Sequence, residues 1–421
     1  MNIFIKKQFG KNNKLDLLIS YIKFFFKIKI SFKNPPKKDV VVLDDEAIDD
    51  LKNIVPNYDY FILKTRLHKI DKIYLSLKMP ALFFKYFNGS LMGTYVIVIL
   101  KIIKPKVVIT LAQHSMLYFN TVKALENEMN FLAIQTGARY DLGIFKYWHK
   151  INKLKLDLTK KYYFQNFFCF GQAEIDLFKD HKIRVKNFFK VGSLRLSNFL
   201  QDQKKNKLNF KKNFYDICLI SDSCTIGEKN RYGIPNYEKA FGKMAEFTVK
   251  FAMKNNLKFI CAFKRKEPIS LEKEIDFYRE NLSKNEFDYL IKNSTGNKKT
   301  KFSSYEAMIQ SDIVVSKYST MLREKLGLGG KILACNFVSP TSIYDFPIKG
   351  ICSIEDCTFE EFEARLLSIK NMTEEDYFLK LGDKKIYTMR PADNKFTTID
   401  ILKEKIDILL KGNNLSNNEI G

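Results

Sequence analysis

A succession of short, uninterrupted apolar runs, each followed by a stretch of helical spacing, limits most what this chain can fold into. The first group comprises "DVVVLD" at residues 39–44, "YFILKT" at 60–65, "KVVITL" at 106–111, "FLAIQ" at 131–135, "FFCFG" at 167–171 and "FFKVG" at 188–192. The rhythm restarts with "DICLIS" at 216–221, "KFICAF" at 258–263, "DIVVS" at 312–316 and "KILACNF" at 331–337. Strands apolar at every position are buried on both faces, which is the signature of a parallel sheet covered by helices. A polar, lysine-rich connection, "QDQKKNKLNFKKN" at 201–213, separates the groups. The fold class expected is α/β, with two doubly wound domains facing a cleft, since 421 residues exceed one ordinary core. The divisions read as a basic N-terminal segment over 1–38, a first domain over 39–200, a linker over 201–213, a second domain over 214–390, and a C-terminal helix and tail over 391–421. Within the first domain, "EAIDDLKNIV" at 46–55 reads as a helix.

Charge needs an explanation. The chain carries 71 Lys and Arg against 47 Asp and Glu, a net +24. A polyanionic partner, an anionic membrane or substrate, or plain solvated surface in a composition rich in Lys, Asn, Ile and Phe would each account for it. No zinc-finger spacing, RNA-recognition signature or basic helix with a dimerising heptad is present, so nucleic acid is not the expected partner. Residues 1–38 concentrate the imbalance around "LLISYIKFFFKIKISF". Such a segment can lie in a membrane interface with its lysines towards anionic head groups, or form an ordinary surface element on the first domain. The longest apolar stretch, residues 92–100, is far short of the roughly 20 residues of a membrane span, and no cleavable secretory signal is visible. The expectation is a cytoplasmic protein, peripheral at most on the inner face of the cell membrane. Seven scattered cysteines without CxxC spacing read as buried thiols in a reducing compartment, and a structural zinc site is not expected.

Residues 302–336, "FSSYEAMIQSDIVVSKYSTMLREKLGLGGKILACN", are the most informative run. Ser319 and Thr320 are cap residues where a buried strand turns into a helix. Free N–H groups and the positive end of the helix dipole make such a junction a phosphate site. Glu324, one turn on, is on the face where it can accept from a ribose hydroxyl. The plain alternative is a cap with a charge-complementing glutamate. Gly327, Gly329, Gly330 and Lys331 imitate a phosphate-binding loop, but they end a helix and precede a strand, so they read as C-cap glycines.

This run resembles the C-terminal half of GT-B glycosyltransferases of the bacterial surface-carbohydrate and capsule type, with Asp312, Ser319, Thr320, Glu324 and Gly327 at matching places. It also resembles the nucleotide-sugar 2-epimerases of the same fold. "AIQTGAR" at 133–139 is similar to the "iQnG" segment of the N-terminal domain, and "FKVGSLRLSNF" at 189–199 to the passage into the second domain. The resemblance spans residues 39–340 and implies two Rossmann-like domains, a nucleotide-sugar donor, a glycan or lipid-linked acceptor and no cofactor.

Sugar transfer needs a base for the acceptor proton and positive charge for the departing phosphate. No Asp-x-Asp triplet is present to hold a metal, so a metal-independent site is expected. Lys264 and Arg265, just past a strand, are candidate donor-side cations, or simply exposed basic residues. His114, after "KVVITLAQ", is the candidate base, or the non-catalytic start of a helix capped by Ser115. Gln135, Gly137, Arg139 and Arg195 are candidates for the acceptor side or the cleft; Arg195 would alternatively tie the linker down. Two rival readings remain. One is an epimerase or hydrolase on the same fold using Asp222 and Glu228. The other is a non-catalytic peripheral membrane scaffold attached by residues 1–38.

Overall fold

The computed structural model describes residues 28–45, 47–66, 69–87, 89–112, 115–137, 162–207, 209–221, 237–265, 267–296, 303–317, 319–337, 346–382, 389 and 397–415. Its strands are β1 (Lys29–Ser31), β2 (Val40–Leu43), β3 (Tyr60–Leu63), β4 (Lys72–Tyr74), β5 (Val107–Thr110), β6 (Asn130–Ile134), β7 (Tyr163–Cys169), β8 (Arg184–Lys190), β9 (Tyr215–Ile220), β10 (Phe259–Ala262), β11 (Ser311–Ser316), β12 (Lys331–Asn336) and β13 (Ser353–Glu355). Helices of the first half are α1 (Met79–Tyr86), α2 (Leu91–Ile103), α3 (Met116–Leu125), α4 (Gln172–Asp180) and α5 (Leu194–Lys205). Those of the second half are α6 (Tyr237–Lys254), α7 (Pro268–Asn281), α8 (Lys284–Lys292), α9 (Ser303–Ile309), α10 (Thr320–Gly327), α11 (Phe359–Lys370), α12 (Glu374–Leu381) and α13 (Thr398–Leu410).

The apolar runs form two parallel sheets. The first has the order β3-β2-β5-β6-β7-β8 and the second β10-β9-β11-β12-β13, every pairing being parallel. Both are doubly wound. The chain steps from β2 out to β3 and returns on the other side with β5; it steps from β9 out to β10 and returns with β11. Each sheet therefore has one switch point, β2/β5 and β9/β11, where the crossing helices part and open a crevice at the carboxyl edge.

Burial explains the strand sequences. Val40, Val41 and Val42 have no exposed surface, nor do Val107, Val108 and Ile109. One face of the first sheet packs an aromatic cluster in which Phe119, Phe164 and Phe178 meet edge to face. Its other face is covered by α13, whose Ile399, Leu402 and Ile406 share a core with Val40, Val107 and Ile109. The C-terminal helix thus returns to the first domain, where the Thr398 hydroxyl donates to the Val191 carbonyl at 2.6 Å.

One expected element differs. "EAIDDLKNIV" does not form an α-helix; the described residues make two 3₁₀ turns, Ile48–Leu51 and Val55–Asn57. Pro56 has no N–H with which to carry an α-helical ladder past Val55, and the segment settles into tighter turns. The six described cysteines are unpaired, five of them buried. No helix among the described residues is long and apolar enough to cross a membrane.

The glycines after α10 are C-cap residues, as their position implies. Gly329 has φ +79°, and the Gly330 N–H donates to the Lys325 carbonyl at 2.9 Å. A Cβ on Gly330 would lie 2.2 Å from Lys325 Cε. That lysine is buried, which lowers its amine to about 8, and it donates to the carbonyls of Ser311 (2.6 Å) and Met308 (3.3 Å). Gly330→Ala is expected to cost about 1–3 kcal/mol, the usual penalty for overpacking, read as a drop in urea midpoint at constant m.

Candidate functional site

The Ser-Thr turn begins α10 at the β9/β11 switch point of the second sheet. Ser319 is the N-cap, with φ −58° and ψ 139°, and its hydroxyl accepts from the Met321 N–H at 3.3 Å. Ser319 and Thr320 are both half-buried. Beside them the Ser316 hydroxyl donates to the Ile220 carbonyl at 3.2 Å, locking β11 to β9 just short of the turn. Lys317, passed over in the sequence, is 1% exposed at this same strand end. Asp312 belongs to the opposite, amino end of β11, where it pairs with buried Lys331 at 2.9 Å. Its place in the motif is therefore structural, since Lys331 also caps α11 through the Ile369 and Met372 carbonyls.

The next turn of α10 reaches into the first domain. Arg323 and Glu174, both without exposed side-chain surface, form a two-pronged ion pair, with Nη2 donating to Oε2 at 2.8 Å and Nη1 to Oε1. The guanidinium also lies 5.5 Å from the centre of the Phe170 ring. Gln135, at the end of β6, completes the cluster: its amide donates to Glu174 Oε1 and the Gly137 carbonyl, each at 3.0 Å, and its oxygen accepts from the Phe170 N–H at 2.9 Å. Gln135 thus acts through its neighbours, setting the carboxyl ends of β6 and β7 against α10.

Glu324 also faces the first domain. Its Oε1 accepts from Ser193, the N-cap of α5, and from Tyr305 of α9 at 2.9 Å. Its Oε2 is buried and has no partner. Tyr305 stacks on Phe199 of α5 with ring centroids 5.3 Å apart. Burial raises the Glu324 carboxyl above its ordinary 4.5, more than the Ser193 and Tyr305 hydroxyls lower it. Glu274 is shifted the same way by burial. A carboxyl raised on folding contributes stability that is complete below 4.5 and lost as pH rises through the folded value. Urea midpoints measured upward from pH 4.5 are therefore expected to fall, and Glu324→Gln to remove part of that slope, with Glu274 contributing in the same direction.

The other candidates are placed as follows. Arg195 Nε donates to Asp50 Oδ2 at 2.7 Å, and Asn198 of the same helix donates to the Asp50 carbonyl at 2.7 Å. Arg195 thus bonds α5 to the first domain, and its charge also lies near Glu324 and Tyr305. The backbone N–H groups of Lys264 and Arg265 donate to Glu274 at 3.0 and 2.8 Å, leaving the Lys264 side chain exposed and Arg265 half-exposed past β10. Ser115 is the N-cap of α3 without a side-chain cap bond. His114, Arg139, Asp222 and Glu228 lie outside the described residues; His114 follows β5, one of the two strands at the first sheet's switch point. Gly137 has open space where a Cβ would be.

Glu174 and Arg323 form a buried ion pair between the domains, and the sequence hides both. Glu174, third after Gly171, accepts from the Gly171 N–H at 3.3 Å and so reads as a local helix-start residue. Arg323 lies in "STMLREKLG", where charges surround the short helix and water is the default partner. Because α10 follows the carboxyl end of β11, and Glu174 and Ser193 follow those of β7 and β8, the two carboxyl edges face each other.

No protein-family model and no curated protein sequence matches the chain. Among solved structures it is similar to the wall teichoic acid polymerase TagF, at 10% identity over 90% of each chain with a TM-score of 0.49. It is also similar to the UDP-GlcNAc 2-epimerase of Methanocaldococcus jannaschii, at 12% identity over 90% of this chain and 99% of that one, TM-score 0.47. A third is the UDP-forming trehalose-phosphate synthase of Burkholderia xenovorans, at 7% identity over 90% of this chain and all of that one, TM-score 0.46. The two doubly wound parallel sheets, carboxyl edge to carboxyl edge, are the GT-B-type architecture that the sequence resemblance implies.

Proposed function

We propose that this protein is a metal-independent glycosyltransferase, moving a sugar from a nucleotide-activated donor to a surface-polysaccharide or lipid-linked glycan acceptor. One observation carries the reading: the N-terminus of α10, capped by Ser319, opens at the β9/β11 switch point on the edge that faces the first domain. A donor diphosphate or monophosphate there meets N–H groups and the helix dipole, as anions at helix starts do. Glu324 is the residue through which a ribose hydroxyl would be held once the domains part, since its Oε2 is buried while they are packed together. Lys317, at the same strand end, and Lys264 and Arg265, past β10, supply cations for the departing phosphate. His114, following β5 at the first sheet's switch point, is the proposed base for the acceptor proton.

A thermal-shift screen of UDP-, GDP-, CMP- and dTDP-sugars, UDP-GlcNAc among them, tests the donor. One nucleotide series is expected to raise Tm, by mass-action stabilisation of the folded state. If none does, the transferase reading is lost. Incubating the stabilising donor without acceptor then separates reactions: a transferase leaves it essentially intact, whereas an epimerase or hydrolase consumes it.

A further inference from the structure

The largest exposed apolar side chains are concentrated in one part of the molecule. Leu77 is 99% exposed, Phe84 84%, Phe32 76% and Leu91 72%, with Leu75 and Phe87 beside them in the chain. All belong to the β1–β4 ribbon, to α1, to the turns that flank them or, for Leu91, to the first position of α2. The Leu75 N–H donates to the Ser31 carbonyl at 2.8 Å, so Leu75 and Phe32 extend the parallel register of the two strands side by side. On α1, Met79, Leu82, Phe83 and Tyr86 pack on the first-domain core, which turns Pro80, Ala81 and Phe84 outward. In the second domain, by contrast, Ile269 and Leu379 stand singly on separate helices.

The charges on these segments are mostly positive; Asp71, exposed just before β4, is the carboxylate at their edge and pairs with Lys64. Lys29, Lys33, Lys72, Lys78 and Lys85 are all exposed. No Asp or Glu occurs between Asp71 and Glu126, and none between residues 28 and 38. Several large apolar side chains exposed on neighbouring segments mark a surface that meets a partner. A lysine-rich rim around leucines and phenylalanines fits a partner that is flat, anionic outside and apolar beneath. We propose that residues 28–33 and 72–91 form the face by which this protein docks on an anionic lipid bilayer. Leu77, Phe84 and Leu91 enter the acyl boundary while the lysines lie level with the lipid phosphates. The attachment expected of residues 1–38 is thereby shared with a second, later segment of the first domain, and it is independent of any nucleotide.

Co-sedimentation of the full-length chain with phosphatidylglycerol–phosphatidylcholine vesicles tests this. Binding is expected to exceed that to pure phosphatidylcholine by at least about fivefold, the contribution of a single lysine near the surface, and to weaken with salt. Leu77→Ser, Phe84→Ser and Leu91→Ser together are expected to reduce binding at least about tenfold, with the thermal melt unchanged because the three side chains are exposed. Ile269→Ser with Leu379→Ser is expected to leave binding as it was. Phe84→Trp should add fluorescence that blue-shifts on vesicles and is quenched by brominated lipid. Equal vesicle binding by the triple variant and the parent overturns the proposal. So does a parent dimer that the triple variant dissociates without loss of vesicle binding, which would make the face a self-association surface.

Discussion

Replacing Arg323 with alanine is expected to destabilise the protein by about 3–5 kcal/mol, because it strands a buried carboxylate without its counter-charge. Neither Glu174 nor Arg323 has exposed side-chain surface, and the pair joins residues 149 positions apart, on α4 of the first domain and α10 of the second. The damage is therefore directed at the contact between domains. Urea unfolding followed by two probes, one in each domain, should show the transitions separating in Arg323→Ala. Glu174→Gln combined with Arg323→Met should recover most of the loss. A neutral pair of similar volume needs no desolvation of charge, and the amide oxygen introduced by Glu174→Gln can still accept from Gln135. A double variant as unstable as the single one would mean that packing, not charge, governs this contact. The cycle of singles and double measures the coupling directly.

Thr320→Glu should raise stability while abolishing donor affinity. A carboxylate in the first turn complements the helix dipole and contributes about 0.3–1 kcal/mol. The same carboxylate occupies the place proposed for the donor phosphate, adding repulsion where there was attraction, and donor affinity should fall on the order of 30-fold or more. Opposite signs make the variant informative: a cap without ligand duty predicts the stability gain alone. Titration calorimetry with whichever nucleotide sugar stabilises the parent, alongside urea midpoints for both proteins, reads the two effects separately. Undiminished donor binding by the variant would remove the phosphate from this turn.

Much of the fold was legible because its signals are local. Continuous apolar runs such as residues 40–43 and 313–315 exclude a half-solvated strand, and their alternation with helices leaves parallel sheets as the way to bury both faces. Ser319 announced its cap by residue type, and the glycines at 329 and 330 by following a helix. The 46–55 segment misleads because its spacing is helical while Pro56, just beyond it, cannot donate to a helical ladder.

What the chain alone determined, then, was where most core strands and helices lie and that a Ser-capped turn begins α10, since these follow from backbone sterics and burial within a few residues. Tertiary structure decided the rest: that Arg323 reaches Glu174, that Glu324 turns towards Ser193, that Arg195 ties down a helix, and that α13 returns to the first sheet. A charged side chain on a short helix reads the same whether water or a buried partner neutralises it. Only the packing of one domain on the other, which removes the water, fixes which of the two it is.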